Sequence, residues 1–295
     1  GFHPTPEHTV DHMVAKLFAR RQPSPDSRLL DPGSGRGAFL DGVLRWCSDH
    51  GVDPPHLVAI ESDPKHVDEL LRCHGSNAKI EILSQDFLRE TKLKPFDFIV
   101  GNPPYVSITG IDENSRKRYR RRFGVARERF DLYFLFFEQA LRLLSTDGRL
   151  VFITTDKYLS VGSAAQLRRI LRSESQITEI EFIDEATFSG LATYPCITTL
   201  DKPQSAAKTT AKLRDGSLTS VELTSSGKPW LPTILGCNGQ RGAHTLGDAC
   251  RTIGVGTATG CDDLFVFERD QLPKELLRFS HPTVAGRELR EGHPP

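Results

Sequence analysis

The chain has no C-x-x-C pair, no net charge, no initiator methionine and no apolar run near the roughly 18 residues that span a bilayer. Each absence removes a class of protein. The six cysteines, at 47, 73, 196, 237, 250 and 261, lie no closer than eleven residues apart. That scatter in a chain this long excludes a disulfide framework and reads as reduced intracellular thiols. Gly1-Phe2-His3-Pro4 offers no charged region followed by an apolar stretch, so no secretory signal is expected. The expected location is the cytoplasm, away from any membrane. Thirty-eight basic side chains balance thirty-eight acidic ones. This excludes a partner held by global charge but leaves room for a local patch. There is no internal repeat and no long low-complexity tract. Hydrophobic residues make up 38 %, charged residues 26 %, and mean hydropathy is −0.35, as in a folded globular protein. A length of 295 residues suits one large domain or two ordinary ones.

Val10, Met13, Val14, Leu17 and Phe18 have the spacing of a helix with one buried stripe. Thr5-Pro6-Glu7 starts it, with Thr5 a candidate cap. Then strand, turn and helix alternate. Leu29-Leu30 ends at Asp31, Leu57 to Ile60 ends at Glu61, Ile80 to Leu83 leads to Asp86, and Phe98 to Val100 leads to Asn102. This alternation predicts an α/β fold, a mostly parallel sheet with helices on both faces. Ligands of such sheets bind at the C-terminal strand edge, where these polar residues fall. Further strands are expected at 150–153, 177–183 and 196–200. The sheet domain is expected to span 1–203, a linker with modest β character 204–245, and a further unit 246–295.

Asp31-Pro32-Gly33-Ser34-Gly35-Arg36-Gly37 follows the first strand and opens a helix. Its glycines permit positive φ and close approach of a ligand. The G-x-G-x-G spacing differs from the dinucleotide fingerprint, and no Lys-Ser/Thr follows, which excludes a P-loop. Glu61 could accept from a ribose diol. Asp86 could accept from an adenine amine while Phe87 packs on the ring. The three acids in order fit one adenosine-type ligand. Asn102-Pro103-Pro104-Tyr105 is the most specific signal. The prolines remove two N–H donors and stiffen the backbone, leaving carbonyl acceptors beside the Asn102 amide and the flat face of Tyr105. An acceptor pair and an aromatic plate suit a planar amine such as a nucleobase edge.

The order of these parts resembles the S-adenosylmethionine-dependent amino-group methyltransferases, and more narrowly the gamma-class DNA adenine-N6 methyltransferases of bacterial restriction–modification systems. Asp131-Leu132-Tyr133 through Phe136-Phe137 is similar to a later family segment, and Phe188 falls where the family places an aromatic against an extruded base. The resemblance covers about residues 2–200. It implies a Rossmann-like class I sheet of seven strands. It implies S-adenosylmethionine held by Thr5, Pro6, Asp31, Pro32, Gly33, Ser34, Gly35, Gly37, Glu61, Ser62, Asp86, Phe87, Asn102 and Phe136. Asn102, Pro103, Pro104 and Tyr105 would carry the chemistry, with Tyr105 and Phe188 stacking on the base. Thr245 to Asp248, Ile253 to Asp263 and Gly286 to Leu289 are similar to the start of a target-recognition region. The chain therefore reads as a catalytic core plus the opening of a truncated domain, with much of the DNA grip beyond it.

Residues 107–130 hold eight basic side chains (among them Arg116, Lys117, Arg118, Arg120, Arg121 and Arg122) against three acidic ones. Just past the proposed base pocket, they read as a mobile loop contacting the phosphates of double-stranded DNA. Pro195-Cys196 superficially matches the nucleophile of cytosine-C5 methyltransferases, but it lies far from the fourth strand and reads as a core thiol. His8 and His12 have metal-compatible spacing without a third ligand, so no metal is expected. A monomer is expected, with any restriction endonuclease outside these residues. Two alternatives remain: a protein-glutamine or ribosomal-RNA guanine methyltransferase, which also use Asn-Pro-Pro-Tyr, and a catalytically silent DNA-binding module.

Overall fold

The computed structural model describes residues 4–89, 92–184, 194–202 and 208–236. Phe188, the last three cysteines and the recognition-like segments from Thr245 onward lie outside the described residues. Helix α1 (Glu7–Phe18) leads into β1 (Arg28–Pro32), α2 (Ala38–Asp49), β2 (His56–Glu61), α3 (Pro64–His74), β3 (Ile80–Ser84) and β4 (Phe96–Gly101). After α4 (Glu113–Arg122) come α5 (Leu132–Leu143), β5 (Leu144–Thr155), α6 (Ala165–Glu174), β6 (Gln176–Phe182) and β7 (Pro195–Asp201). Strands β8 (Thr209–Lys212) and β9 (Leu218–Val221) follow, and a short helix, α7 (Leu231–Ile234), closes the described chain.

All these strands form one sheet in the order β3-β2-β1-β4-β5-β7-β6-β8-β9. Strands β1 to β5 run parallel, and β7 inserts antiparallel between β5 and β6. The seven expected strands are thus present, and the sheet runs two strands further. β8 pairs parallel with β6, and β9 antiparallel with β8. The sheet therefore does not stop at the expected boundary of 203. Thr209 and Ala211 face inward from β8, and Trp230 is fully buried in the same core cluster.

Parallel strands covered on both faces read as continuous apolar runs. In β1, Leu29 joins the core under α1 and α2, and its neighbour Leu30 joins the one under α5 and α6. The α1 stripe is buried as its spacing requires, with Met13, Val14 and Leu17 at 0 % exposure. Its expected cap differs. Pro6 occupies the N-cap and its carbonyl takes the Thr9 and Val10 N–H groups, while no side chain caps the helix. The Thr5 hydroxyl is engaged elsewhere.

Helix α1 is also tied to the far half of the sheet by charge. Buried Glu181 accepts from His12 (2.7 Å) and Lys212 (2.8 Å), and Lys16 lies 2.9 Å away. Burial alone would raise the Glu181 pKa, but these hydrogen bonds outweigh it and hold the carboxyl well below the usual range. A depressed pKa contributes stability that is full above the ordinary value and fades as pH falls toward the lowered one. Glu181→Gln is expected to cost about 1–3 kcal/mol at neutral pH, with the deficit shrinking on acidification. Thermal melts against pH measure both.

Candidate functional site

The strand order reverses between β1 and β4, and the C-terminal ends of β1 to β4 share one edge. That edge gathers the glycine turn, Glu61-Ser62, Asp86-Phe87 and the Asn102 segment at a topological switch point. The glycine turn bends back under β2. The Gly33 and Ser34 N–H groups donate to the Ile60 carbonyl at 2.7 and 3.0 Å, and the Ser34 hydroxyl donates to the Asp31 carbonyl. Two glycines are required. Gly33 has φ +81° beneath the Phe136 ring, and at Gly37 (φ +90°) a Cβ would sit 2.9 Å from Leu70. Positive φ is costly for any residue with a Cβ.

The Glu61 carboxylate staples this turn. Its Oε2 accepts the Gly35 N–H at 2.8 Å, and its Oε1 accepts the Ser62 and Asp63 N–H groups at 2.7 and 2.8 Å. With two lone-pair sites per oxygen, Oε1 is filled and Oε2 has room for one further donor. The capacity for a diol is therefore one hydroxyl, unless a backbone donor is displaced. Asp31 is the opposite case. It is fully buried, and neither carboxylate oxygen has a hydrogen-bond partner among the described residues. Burial, reinforced by the charge of Glu61, raises its pKa well above the ordinary value. Ionising a buried unpaired carboxylate is expensive, and a cation beside it would offset that cost. Gly101 of β4 lies alongside, where even a Cβ would stand in ordinary contact, 3.4 Å from Asp31 Oδ1.

Beside the turn lies a cavity of about 270 Å³ lined by Gly33, Ser62, Asp86, Phe87, Pro104 and Phe136. Phe87 and Phe136 lie with ring centroids 5.0 Å apart and form an apolar wall. Asp86 Oδ1 accepts the Leu88 N–H, and Oδ2 lies 3.6 Å from Arg118. Gln85, Tyr119 and Leu132 also line the cavity, and the sequence reading missed them. Tyr119 could have been found as the single aromatic within the run of cations in α4.

Asn102 Nδ2 donates to Thr5 Oγ1 at 3.1 Å. The chain after Tyr105 pairs with the segment before α5: the Leu132 N–H donates to the Val106 carbonyl at 2.8 Å, and Ser107 bridges Asp131. Asp131 is half-buried, and burial raises its pKa against the pull of Lys157. Tyr105 is held at its hydroxyl, which donates to the Ile153 carbonyl at 3.3 Å, and edge-on against Tyr133 at 6.5 Å. Burial, with Cys196 adding to it, raises the Tyr105 pKa, so the phenol stays protonated. Cys196 is fully buried in β7 and burial pushes its thiol to about 12, which suits a core thiol and not a nucleophile. His12, considered above for metal binding, is bonded to Glu181.

The basic run is a helix with a packed underside, where a mobile loop was expected. Tyr119, Phe123, Val125, Ala126 and Phe130 are buried, and Glu138 of α5 accepts the Gly124 and Val125 N–H groups at 3.0 Å. These contacts sort the cations. Lys117 pairs with Glu113 at 2.8 Å, Arg118 reaches Asp86, and Arg122 donates to Gln139 at 3.3 Å. Arg116 is half-buried. Arg120 and Arg121 are exposed, and no ion pair among the described residues holds them. Lys117, Arg118, Arg121, Arg122 and Arg89 line an open groove of about 790 Å³.

Residues 57–188 match the Eco57I restriction-modification methylase family. The chain is 29 % identical to the Type II methyltransferase M.XhoI of Xanthomonas vasicola, over 90 % of this chain and 59 % of that protein. It is 27 % identical to the Type II methyltransferase M.PaeR7I of Pseudomonas aeruginosa, over 93 % and 57 %. It thus spans less than two thirds of the length of these relatives. Its fold is similar to that of a Listeria monocytogenes structure assigned to the class I S-adenosylmethionine-dependent methyltransferases, with a TM-score of 0.58 at 20 % identity, covering 79 % of this chain and 68 % of that one.

Proposed function

Residues 57–188 match the Eco57I restriction-modification methylase family, and we propose that this chain is the catalytic part of a site-specific DNA methyltransferase. It would move a methyl group from S-adenosylmethionine to the N6 amine of an adenine flipped out of double-stranded DNA, in restriction–modification or phage defence. The observation that carries the reading is the meeting of three features on one sheet edge. These are the orphaned Asp31 carboxylate, the Phe87–Phe136 cavity and the Asn102-Pro103 acceptors. A cofactor with an ammonium and a sulfonium fits that donor set: it brings positive charge to a buried unpaired acid, and its adenine fits an aromatic wall beside Asp86. When bound, it supplies an electrophilic methyl group.

The protein's task is to make a poor nucleophile attack. The lone pair of the adenine amine is delocalised into the ring. Acceptance of its two N–H bonds by Asn102 Oδ1 and the Pro103 carbonyl stabilises the charge that develops on the nitrogen. Tyr105, stiffened at its hydroxyl and its edge, and Phe188 would stack on the extruded base. Stacking of about 1–3 kcal/mol per base offsets part of the cost of flipping. No covalent enzyme intermediate is required, in keeping with the buried Cys196. The catalytic unit acts as a monomer, with any endonuclease outside these residues.

Incubation with labelled cofactor and duplex DNA, release-factor protein or ribosomal RNA tests the reading. Label on the adenine amine of DNA is expected; label on protein or RNA, or none at all, overturns it. The helix α4 sharpens the DNA contact. Arg120→Ala with Arg121→Ala should reduce the slope of log affinity against log salt by about 1.8, at ~0.9 per phosphate. Arg122→Ala, which removes an inward-bonded group, should leave the slope unchanged.

A further inference from the structure

We infer that Thr5 is a positioning residue for methyl transfer: its hydroxyl holds the Asn102 side-chain amide in the plane in which the amide oxygen meets the target amine. The inference rests on the proposed function and deepens it. The family resemblance assigns Thr5 to the cofactor; the structure gives its hydroxyl a different partner, Asn102 Nδ2 at 3.1 Å, across 97 residues of sequence.

Three features make this contact a built one. Thr5 is the natural candidate for a helix-capping side chain, yet Pro6 occupies the N-cap and no described side chain caps α1. The hydroxyl is therefore not used for the local task such residues commonly perform. Thr5 is also delivered by a rigid platform. Proline limits φ at position 6 (−57°), the α1 stripe is fully buried, and Lys16 and His12 tie the helix to Glu179 and Glu181. On the other side, Asn102 sits between Gly101, the last residue of β4, and the stiff Pro103-Pro104 pair. Its backbone is thus fixed, while the terminal torsion of an asparagine is broad. A hydrogen bond to one end of the planar amide restricts that torsion and so aims the other end. Nδ2 bonds to the protein, and Oδ1 takes the acceptor's role.

The test compares Thr5→Val, isosteric without a hydroxyl, with Thr5→Ser, which keeps it. Thr5→Val should lower kcat by about 10–100-fold, the scale of a small misplacement of a reacting group. Cofactor Kd by calorimetry and KM for DNA should stay within about threefold, since neither ligand loses a contact. Thr5→Ser should recover most of kcat. Unchanged kcat in Thr5→Val overturns the inference, and so does a fall in cofactor affinity that matches the fall in kcat, which marks a cofactor contact. If Thr5→Val unfolds, Thr5→Ala and Thr5→Ser are compared on the same three quantities, and equal kcat in those two overturns it as well. Wild-type protein that labels no adenine amine defeats the proposed function itself, which separates the two failures.

Discussion

Asn102→Ala is expected to lower methyl transfer by at least about 10²-fold while cofactor affinity stays within a few-fold of wild type. The magnitude follows from the role. Removing one preorganised group that stabilises charge in the transition state costs about 10²–10³ in kcat, or roughly 3–4 kcal/mol. The specificity follows from the geometry. The cavity beside the glycine turn is lined by residues of other strand ends and by Pro104, not by the Asn102 side chain. Asn102 is bonded to Thr5. Losing the amide strips one acceptor from the target and leaves the Phe87–Phe136 wall, Asp31 and the Glu61 staple in place. Single-turnover methylation with saturating cofactor, alongside calorimetry of cofactor binding, reads both halves. Full activity in the variant, or loss of cofactor binding, would assign Asn102 a different role. Asn102→Asp is informative too: it keeps an acceptor but adds a negative charge a few residues along the fold from buried Asp31. It should retain more transfer than the alanine variant yet fall well short of wild type.

Much of this site could be read from the sequence because its parts sit at predictable places. A parallel strand buried on both faces ends where its apolar run ends, so Asp31, Glu61, Asp86 and Asn102 mark four strand ends on one edge. Two prolines after Asn102 announce a stiff turn whatever the surroundings. What stayed hidden depends on contacts across long sequence separations. Nothing in Thr5-Pro6-Glu7 distinguishes a capping hydroxyl from one bonded to Asn102, because both make a good helix start. The staple by Glu61 was equally invisible, since a carboxylate facing a ligand and one facing Gly35 N–H look alike in sequence. Strands β8 and β9, legible only as modest β character in a linker, were obscured for another reason. They are four residues each, and Thr209-Thr210-Ala211-Lys212 presents only small inward side chains. Short polar edge strands carry little periodicity. In α4 and at its end, the density of charge masked Tyr119 and Phe123, whose burial turns an expected loop into a helix with a packed side.

Asp31→Asn should have two opposed effects, weaker cofactor binding and a more stable cofactor-free protein. The carboxylate is fully buried without a hydrogen-bond partner among the described residues, and its pKa is raised by burial and by Glu61. A folded-state pKa above the unfolded one contributes stability that is full at acid pH, below the unfolded value, and lost as pH rises through the folded value. At neutral pH the acid therefore costs the free protein stability, either as a buried charge or by taking up a proton to avoid one. Asparagine keeps the shape and removes the charge, so the free variant should gain on the order of 1 kcal/mol, read as a melting temperature higher by about 2–4 °C. On the proposed reading, a cationic cofactor satisfies the same carboxylate when bound. Losing it leaves the ligand's charge unpaired in a water-poor site, which costs about 2–5 kcal/mol, or roughly 30-fold or more in affinity. The two effects also predict a pH dependence. A cation binds the ionised form, so wild-type affinity should rise with pH through the raised pKa of Asp31 and level off above it, with proton release on binding. In Asp31→Asn that rise should vanish. Calorimetry in buffers of different ionisation enthalpy measures the released proton. Equal affinity in wild type and variant, or a wild-type affinity that falls as pH rises, would remove Asp31 from the cofactor site.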